Sequence, residues 1–232
     1  MITQAVLFDF NGTLSNDESL LFDLFREVFL EKLDFDMSET YYYAHLAGLS
    51  DIEIVRHVTD LSQGLPKGTE RMILAEKVRR YQEAIVKCPR IDKRAVELVL
   101  RLAEQVPVGV VTGAIHEEVD IALRSVGLYD IMQFVIAGED VTNGKPDPEG
   151  YLKALAHLDG TIQPEHIVVF EDSMAGFSAA RSAGMTPVAV VGTTPLERIP
   201  SYVNQKVNDL SIESCKWIFD TLVSNVSFRL QR

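Results

Sequence analysis

The chain begins with a stretch that decides its fold: Ala5-Val6-Leu7-Phe8-Asp9-Phe10-Asn11-Gly12-Thr13-Leu14. Four successive apolar side chains, with no polar alternation, read as a strand covered on both faces. Asp9 ends the run and Gly12 supplies a turn directly after it. An acid at that place has its backbone held by a sheet. Its carboxylate is aimed into the crevice outside the strand's carboxyl end.

Further short Val/Ile-rich runs follow at 106–111, 134–137, 167–170 and 187–191. Helical patterns lie between them, at Arg94–Glu104, His116–Val126, Pro148–Leu158 and Ser173–Ala183, and Gly127 stands where a helix cap belongs. Strand–helix alternation predicts an α/β fold with a doubly wound, Rossmann-like parallel sheet. The long segment from about residue 16 to 87 carries no strand signal. Ser15 and Glu18 have capping-box spacing, Leu21, Leu24, Phe25 and Val28 share a helical face, and further helices are expected near Ser50–Val58 and Arg71–Val86. A connection of that length inside a compact domain predicts an inserted helical cap, 16–87, on a core made of 1–15 and 88–232.

The 232 residues are 47% hydrophobic with a formal net charge of -12. That balance disfavours nucleic acid and anionic membranes as partners, since both need clustered Lys and Arg. The two cysteines, Cys88 and Cys215, give no disulfide framework and are expected to be reduced, buried and structural. No signal peptide and no membrane span is read, so a cytoplasmic protein, monomer or weak homodimer, is expected.

The reactive residues fall at strand ends: Asp9, then Thr112-Gly113, then Lys145 in Gly144-Lys145-Pro146-Asp147, then Glu171-Asp172-Ser173. In an open parallel sheet these ends converge on one crevice. An acidic nucleophile, a hydroxyl, a lysine and a second acidic pair are the parts phosphoryl transfer requires, and hard oxygen donors favour Mg²⁺.

Together the four segments, in this order, resemble the motifs of the haloacid dehalogenase-like (HAD) superfamily. The resemblance is to the class with a small helical cap, such as β-phosphoglucomutase and phosphoglycolate phosphatase. It implies that Asp9 is nucleophile and metal ligand, that the Asn11 carbonyl and Asp172 are ligands, and that Glu171 supports the metal directly or through water. Thr112, Gly113 and Lys145 would bind phosphate, making Asp9, Asn11, Thr112 and Lys145 the catalytic set. The cofactor implied is Mg²⁺ and the substrate a small phosphorylated metabolite, hydrolysed through an aspartyl phosphate.

Asn11 departs from the motif, which carries a second Asp there as general acid and base. An amide exchanges no proton near neutral pH. Three readings stay open: a phosphatase that draws its acid elsewhere, a replacement made to trap a complex, or an attenuated protein that binds phosphorylated ligands. Hydrolysis of a C–P or C–halogen bond is a further alternative. Asp51 stands where phosphonoacetaldehyde hydrolase carries its lysine, however, and Leu21 where a mutase carries a histidine. Lys77, four residues before Tyr81, matches a substrate-binding cap lysine. His116 follows the second motif closely enough to touch substrate, whereas the other histidines show no metal-ligand spacing. The Tyr41-Tyr42-Tyr43 run reads as cap packing.

Overall fold

The computed structural model describes residues 2–62 and 64–222. Its sheet has six strands: β1 (Ala5–Phe8), β2 (Val108–Val111), β3 (Val135–Ile136), β4 (Ile167–Glu171), β5 (Thr186–Val190) and β6 (Gln205–Val207). All neighbours are parallel, in the order β3-β2-β1-β4-β5-β6. The unbroken apolar runs follow from burial on both faces. Val6, Phe8, Val108, Val110, Val168 and Phe170 point into one core, while Ala5, Leu7, Val111, Ile167 and Val169 point into the other. Phe8 and Phe170, paired in register, stack with ring centroids 5.3 Å apart.

Four helices separate β1 from the rest of the sheet: α1 (Glu18–Leu33), α2 (Glu39–His45), α3 (Asp51–Asp60) and α4 (Thr69–Lys87). They enclose a core of their own around Phe25, Phe29, Met37, Tyr42 and Val55. Leu21 and Leu24 at the start of α1, with Tyr81 and Ile85 near the end of α4, join the core on one face of the sheet. The remaining helices are α5 (Lys93–Ala103), α6 (His116–Ser125), α7 (Glu149–Ala156), α8 (Met174–Ser182) and α9 (Lys216–Phe219). Gly127 takes the left-handed conformation just past α6, φ +76°, as its place in the sequence predicts.

Two local expectations need correction. The capping box expected at Ser15 and Glu18 does not form: α1 starts after Asp17, and the Ser15 hydroxyl donates to Asp17 instead. The box lies at α3, where Ser50 and Glu53 cap each other. Cys88 is exposed; only Cys215 is buried, and burial pushes its thiol up to about 12. Among the described residues, no helix is long and apolar enough to cross a membrane.

Candidate active site

The chain runs outward from β1 to β2 and β3 on one side, then returns to lay β4, β5 and β6 on the other. The crevice therefore opens at the carboxyl end of β1, where the winding reverses. The Asp9 amide donates to the Phe170 carbonyl at 2.9 Å, so the backbone of Asp9 is the last rung of the ladder. Lys145, from the loop before α7, reaches back to this end. Its ammonium lies 2.5 Å from Asp9 Oδ1, 2.6 Å from Glu171 Oε1 and 3.0 Å from the Val111 carbonyl. All three ammonium donors are used, and the flanking carboxylates outweigh burial to hold its pKa well above the usual lysine value.

Glu171 is fully buried and both its oxygens are engaged. Lys145 and the Tyr151 hydroxyl donate to Oε1; the amides of Asp172 and Ser173 and the Ser173 hydroxyl donate to Oε2. This arrangement makes Glu171 an orienter of Lys145 and of the β4 turn. Gly176 on α8 accommodates it, because a Cβ there would stand 1.7 Å from Glu171 Oε1. Gly12, at φ +76°, is required for two reasons: the backbone angle, and an added Cβ that would meet Asp172 Oδ2 at 2.1 Å. The Thr13 hydroxyl donates to the other Asp172 oxygen at 3.1 Å.

Asp9, Glu171 and Asp172 each place a carboxylate oxygen within 4.8 Å of the others. Burial raises Asp9 to about 7, with the Glu171 charge adding and Lys145 opposing. Burial, then the charges of Asp9 and Glu171, lift Asp172 well above the ordinary range. With one lysine among three buried carboxylates, full ionisation would leave two negative charges uncompensated, and the acids either keep protons or take a cation as partner. A hard divalent cation matches both the charge and the oxygen donor set, so the residues fit Mg²⁺. Asp9 and Asp172, the acids with unused oxygen valence, would hold it together with the Asn11 carbonyl.

Thr112 lies at the end of β2 beside the crevice, its hydroxyl accepting from the Ala114 amide at 3.0 Å. Gly113 is pressed by the helical block: a Cβ there would come 2.9 Å from Ser50 Cα, and the Asp51 amide donates to the Gly113 carbonyl. Asn11 borders the crevice with its amide turned away, Nδ2 donating to both Asp17 oxygens at 3.1 and 3.2 Å. Asp17 also accepts from Ser15 at 2.7 Å and from the Tyr81 hydroxyl at 2.5 Å. Sequence reading missed Asp17 as the support of Asn11.

Two sequence-derived substrate contacts are not brought to the crevice. Lys77 is fully buried between α3, α4 and α6, 3.0 Å from Asp51 and 2.6 Å from Glu118, its ammonium over the Phe25 ring. His116 is exposed and pairs with Asp140 at 2.7 Å, outside the crevice lining. In their place the lining includes Glu18 and Tyr42, which hydrogen-bond to each other at 3.0 Å. The apolar spacing that placed α1 carried no signal for Glu18's role.

Residues 6–190 match the family model of haloacid dehalogenase-like hydrolases. The chain belongs to that family. It is 31% identical over 185 residues to a phosphorylated carbohydrates phosphatase of Thermotoga maritima, covering 78% of this chain and 82% of that one. It is 29% identical to (DL)-glycerol-3-phosphatase 2 of Arabidopsis thaliana, covering 80% and 78% of the two chains. Its fold is shared with a mutant CbbY of Rhodobacter sphaeroides crystallised with xylulose-(1,5)bisphosphate, at TM-score 0.79 and 24% identity over 91% of this chain and 96% of that one. This HAD chain is thus an enzyme of the hydrolase class, and its relatives include phosphatases of small phosphorylated molecules.

Proposed function

We propose that this HAD hydrolase is a Mg²⁺-dependent phosphatase that removes the phosphoryl group of a small metabolite through an aspartyl phosphate on Asp9. The observation that carries the reading is the ammonium of Lys145 bridging Asp9 and Glu171 at 2.5 and 2.6 Å, beside Asp172. Lys145 pulls Asp9 toward the ionised form that attacks, against the burial that raises it, and faces the phosphoryl oxygens with positive charge. Thr112 and the Gly113 backbone orient those oxygens. Bound Mg²⁺ would neutralise charge developing on the phosphoryl group. Attack by an Asp9 oxygen forms its bond to phosphorus as the ester oxygen departs; water then cleaves the aspartyl phosphate and restores the carboxylate.

Asn11 gives neither step a proton donor or acceptor, which favours leaving groups that depart unprotonated. Residues 16–87 act in this reading as the cap. Its contact at Gly113 closes the crevice, and chain segments near Ser15-Asn16 and Lys87-Cys88 would be the hinges. The test is turnover of p-nitrophenyl phosphate with Mg²⁺, with acid-quenched protein analysed for a phosphoryl group on Asp9. Asp9→Ala should abolish both signals, and turnover that survives it overturns the proposal.

A further inference from the structure

Resting on the phosphatase reading, we infer that the substrate carries a single phosphoryl group on a neutral or cationic alcohol, and that esters bearing a second phosphate or a carboxylate are rejected. The inference comes from the charges that face the crevice. Lys145 is the only cation among the described side chains that line it. It is committed at the phosphoryl end, where it bonds Asp9 and Glu171.

The portion of the crevice left for the alcohol is bounded by Glu18, Tyr42, Ser50 and Asp51 from the helical block, with Asp147 from the Lys145 loop and the apolar Leu21 beside them. None of these brings positive charge. The helical block's candidate cation, Lys77, is sealed away with a side chain 0% exposed and spends its charge on Asp51 and Glu118. The Ser50 hydroxyl donates to Glu53 at 2.7 Å and the Tyr42 hydroxyl to Glu18 at 3.0 Å, so what they offer a ligand is acceptor capacity. Carboxylate and hydroxyl oxygens of this kind receive the O–H groups of a polyol or sugar, or an ammonium. An anionic group among them meets like charge and no cation.

The size of the effect follows from Coulomb's law. Two unit charges about 6 Å apart, at an effective dielectric constant near 20, shift an equilibrium about 100-fold. Esters with an anionic leaving group should therefore lose on the order of 10- to 100-fold against neutral ones of similar size.

The experiment ranks four esters with Mg²⁺ present: glycerol 3-phosphate, O-phosphoethanolamine, 3-phosphoglycerate and fructose 1,6-bisphosphate. Each is assayed for kcat/KM and as a competitor of p-nitrophenyl phosphate. The first two should exceed the last two by at least tenfold, and Glu18→Gln should narrow that gap by raising 3-phosphoglycerate relative to glycerol 3-phosphate. Equal or better use of 3-phosphoglycerate or the bisphosphate overturns the inference and leaves the phosphatase reading intact. If p-nitrophenyl phosphate is not turned over, the phosphatase reading fails. Calorimetric affinities of the same four esters for the wild-type protein then decide the selectivity by the same order, and absence of binding by all four overturns both.

Discussion

Asn11 stands where the motif that the sequence resembles would carry a proton-transferring Asp, and the structure places a carboxylate one hydrogen bond behind it. Asp17, wholly buried, accepts from Asn11, Ser15 and Tyr81, and that geometry turns the Asn11 amide nitrogen away from the crevice. Asp17 is thus a positioning residue. Asn11→Asp should raise turnover of alkyl phosphates, whose departing oxygen needs a proton, by up to about 10²–10⁴-fold. Aryl esters such as p-nitrophenyl phosphate should change far less, and steady-state kinetics on the pair read the difference. Unchanged rates on both would mean that no acid is missing at this position. A second prediction concerns Gly176. Gly176→Ala would drive a methyl group into Glu171 Oε1, 1.7 Å from the ideal Cβ position. It should cost several kcal/mol in denaturant unfolding and weaken activity as Lys145 loses its anchor. Gly12→Ala should do the same through Asp172, with added strain from its positive φ.

Helix α4 carries the residue whose placement departs furthest from the sequence reading, Lys77. Strands β1, β2, β4 and β5 were readable because burial on both faces leaves no alternative to a continuous apolar run, and the reactive side chains at their ends followed from topology. Strand β6, Gln205-Lys206-Val207, lies at the sheet edge and buries only Val207, so it gives no such run. Helix α2 was hidden because it is seven residues long and buries only Tyr42, too little for a helical face to show in the sequence. Lys77 has the spacing of a ligand-facing cap residue, but spacing on α4 is silent about partners 26 and 41 residues away in sequence. Its burial between Asp51 and Glu118 locks α3, α4 and α6 together. Lys77→Met should cost about 3–5 kcal/mol near pH 8, because it strands two buried acids without a cation. Denaturant titration measures this, and Lys77→Met combined with Asp51→Asn and Glu118→Gln should recover a good part of the loss. A Lys77→Met protein as stable as wild type would show the triad contributes nothing to holding the block in place.

The whole molecule gathers its raised acid pKa values in one interior, which gives its stability a definite pH dependence. Burial raises Glu118 from 4.5 to about 8 against the pull of Lys77, with Asp51 and Asp17 adding negative charge nearby. Burial likewise raises Asp9 from 3.8 to about 7, and Asp172 and Asp17 shift in the same direction. An acid whose folded pKa lies above its unfolded value keeps a proton in the native state that the unfolded chain releases. Its favourable contribution is complete below the unfolded pKa and is lost as pH rises through the folded one. Glu76 and Glu149 shift oppositely, to about 2 through Arg79 and Arg80 and through Lys153, but they sit in half-buried pairs at the surface, where solvent screens them. Metal-free protein should therefore be most stable near pH 5 and lose stability steadily toward pH 8. If Mg²⁺ binds as proposed, it would replace the protons on Asp9 and Asp172, so its stabilisation should be small at pH 5 and large at pH 8. Glu118 lies outside the metal site; the part of the slope that persists at saturating Mg²⁺ should shrink further in Glu118→Gln. Thermal melts at both pH values, with and without Mg²⁺, decide the matter. Equal stabilisation by Mg²⁺ at pH 5 and pH 8 would mean that Asp9 and Asp172 do not exchange protons for the ion, and the metal assignment would fall with them.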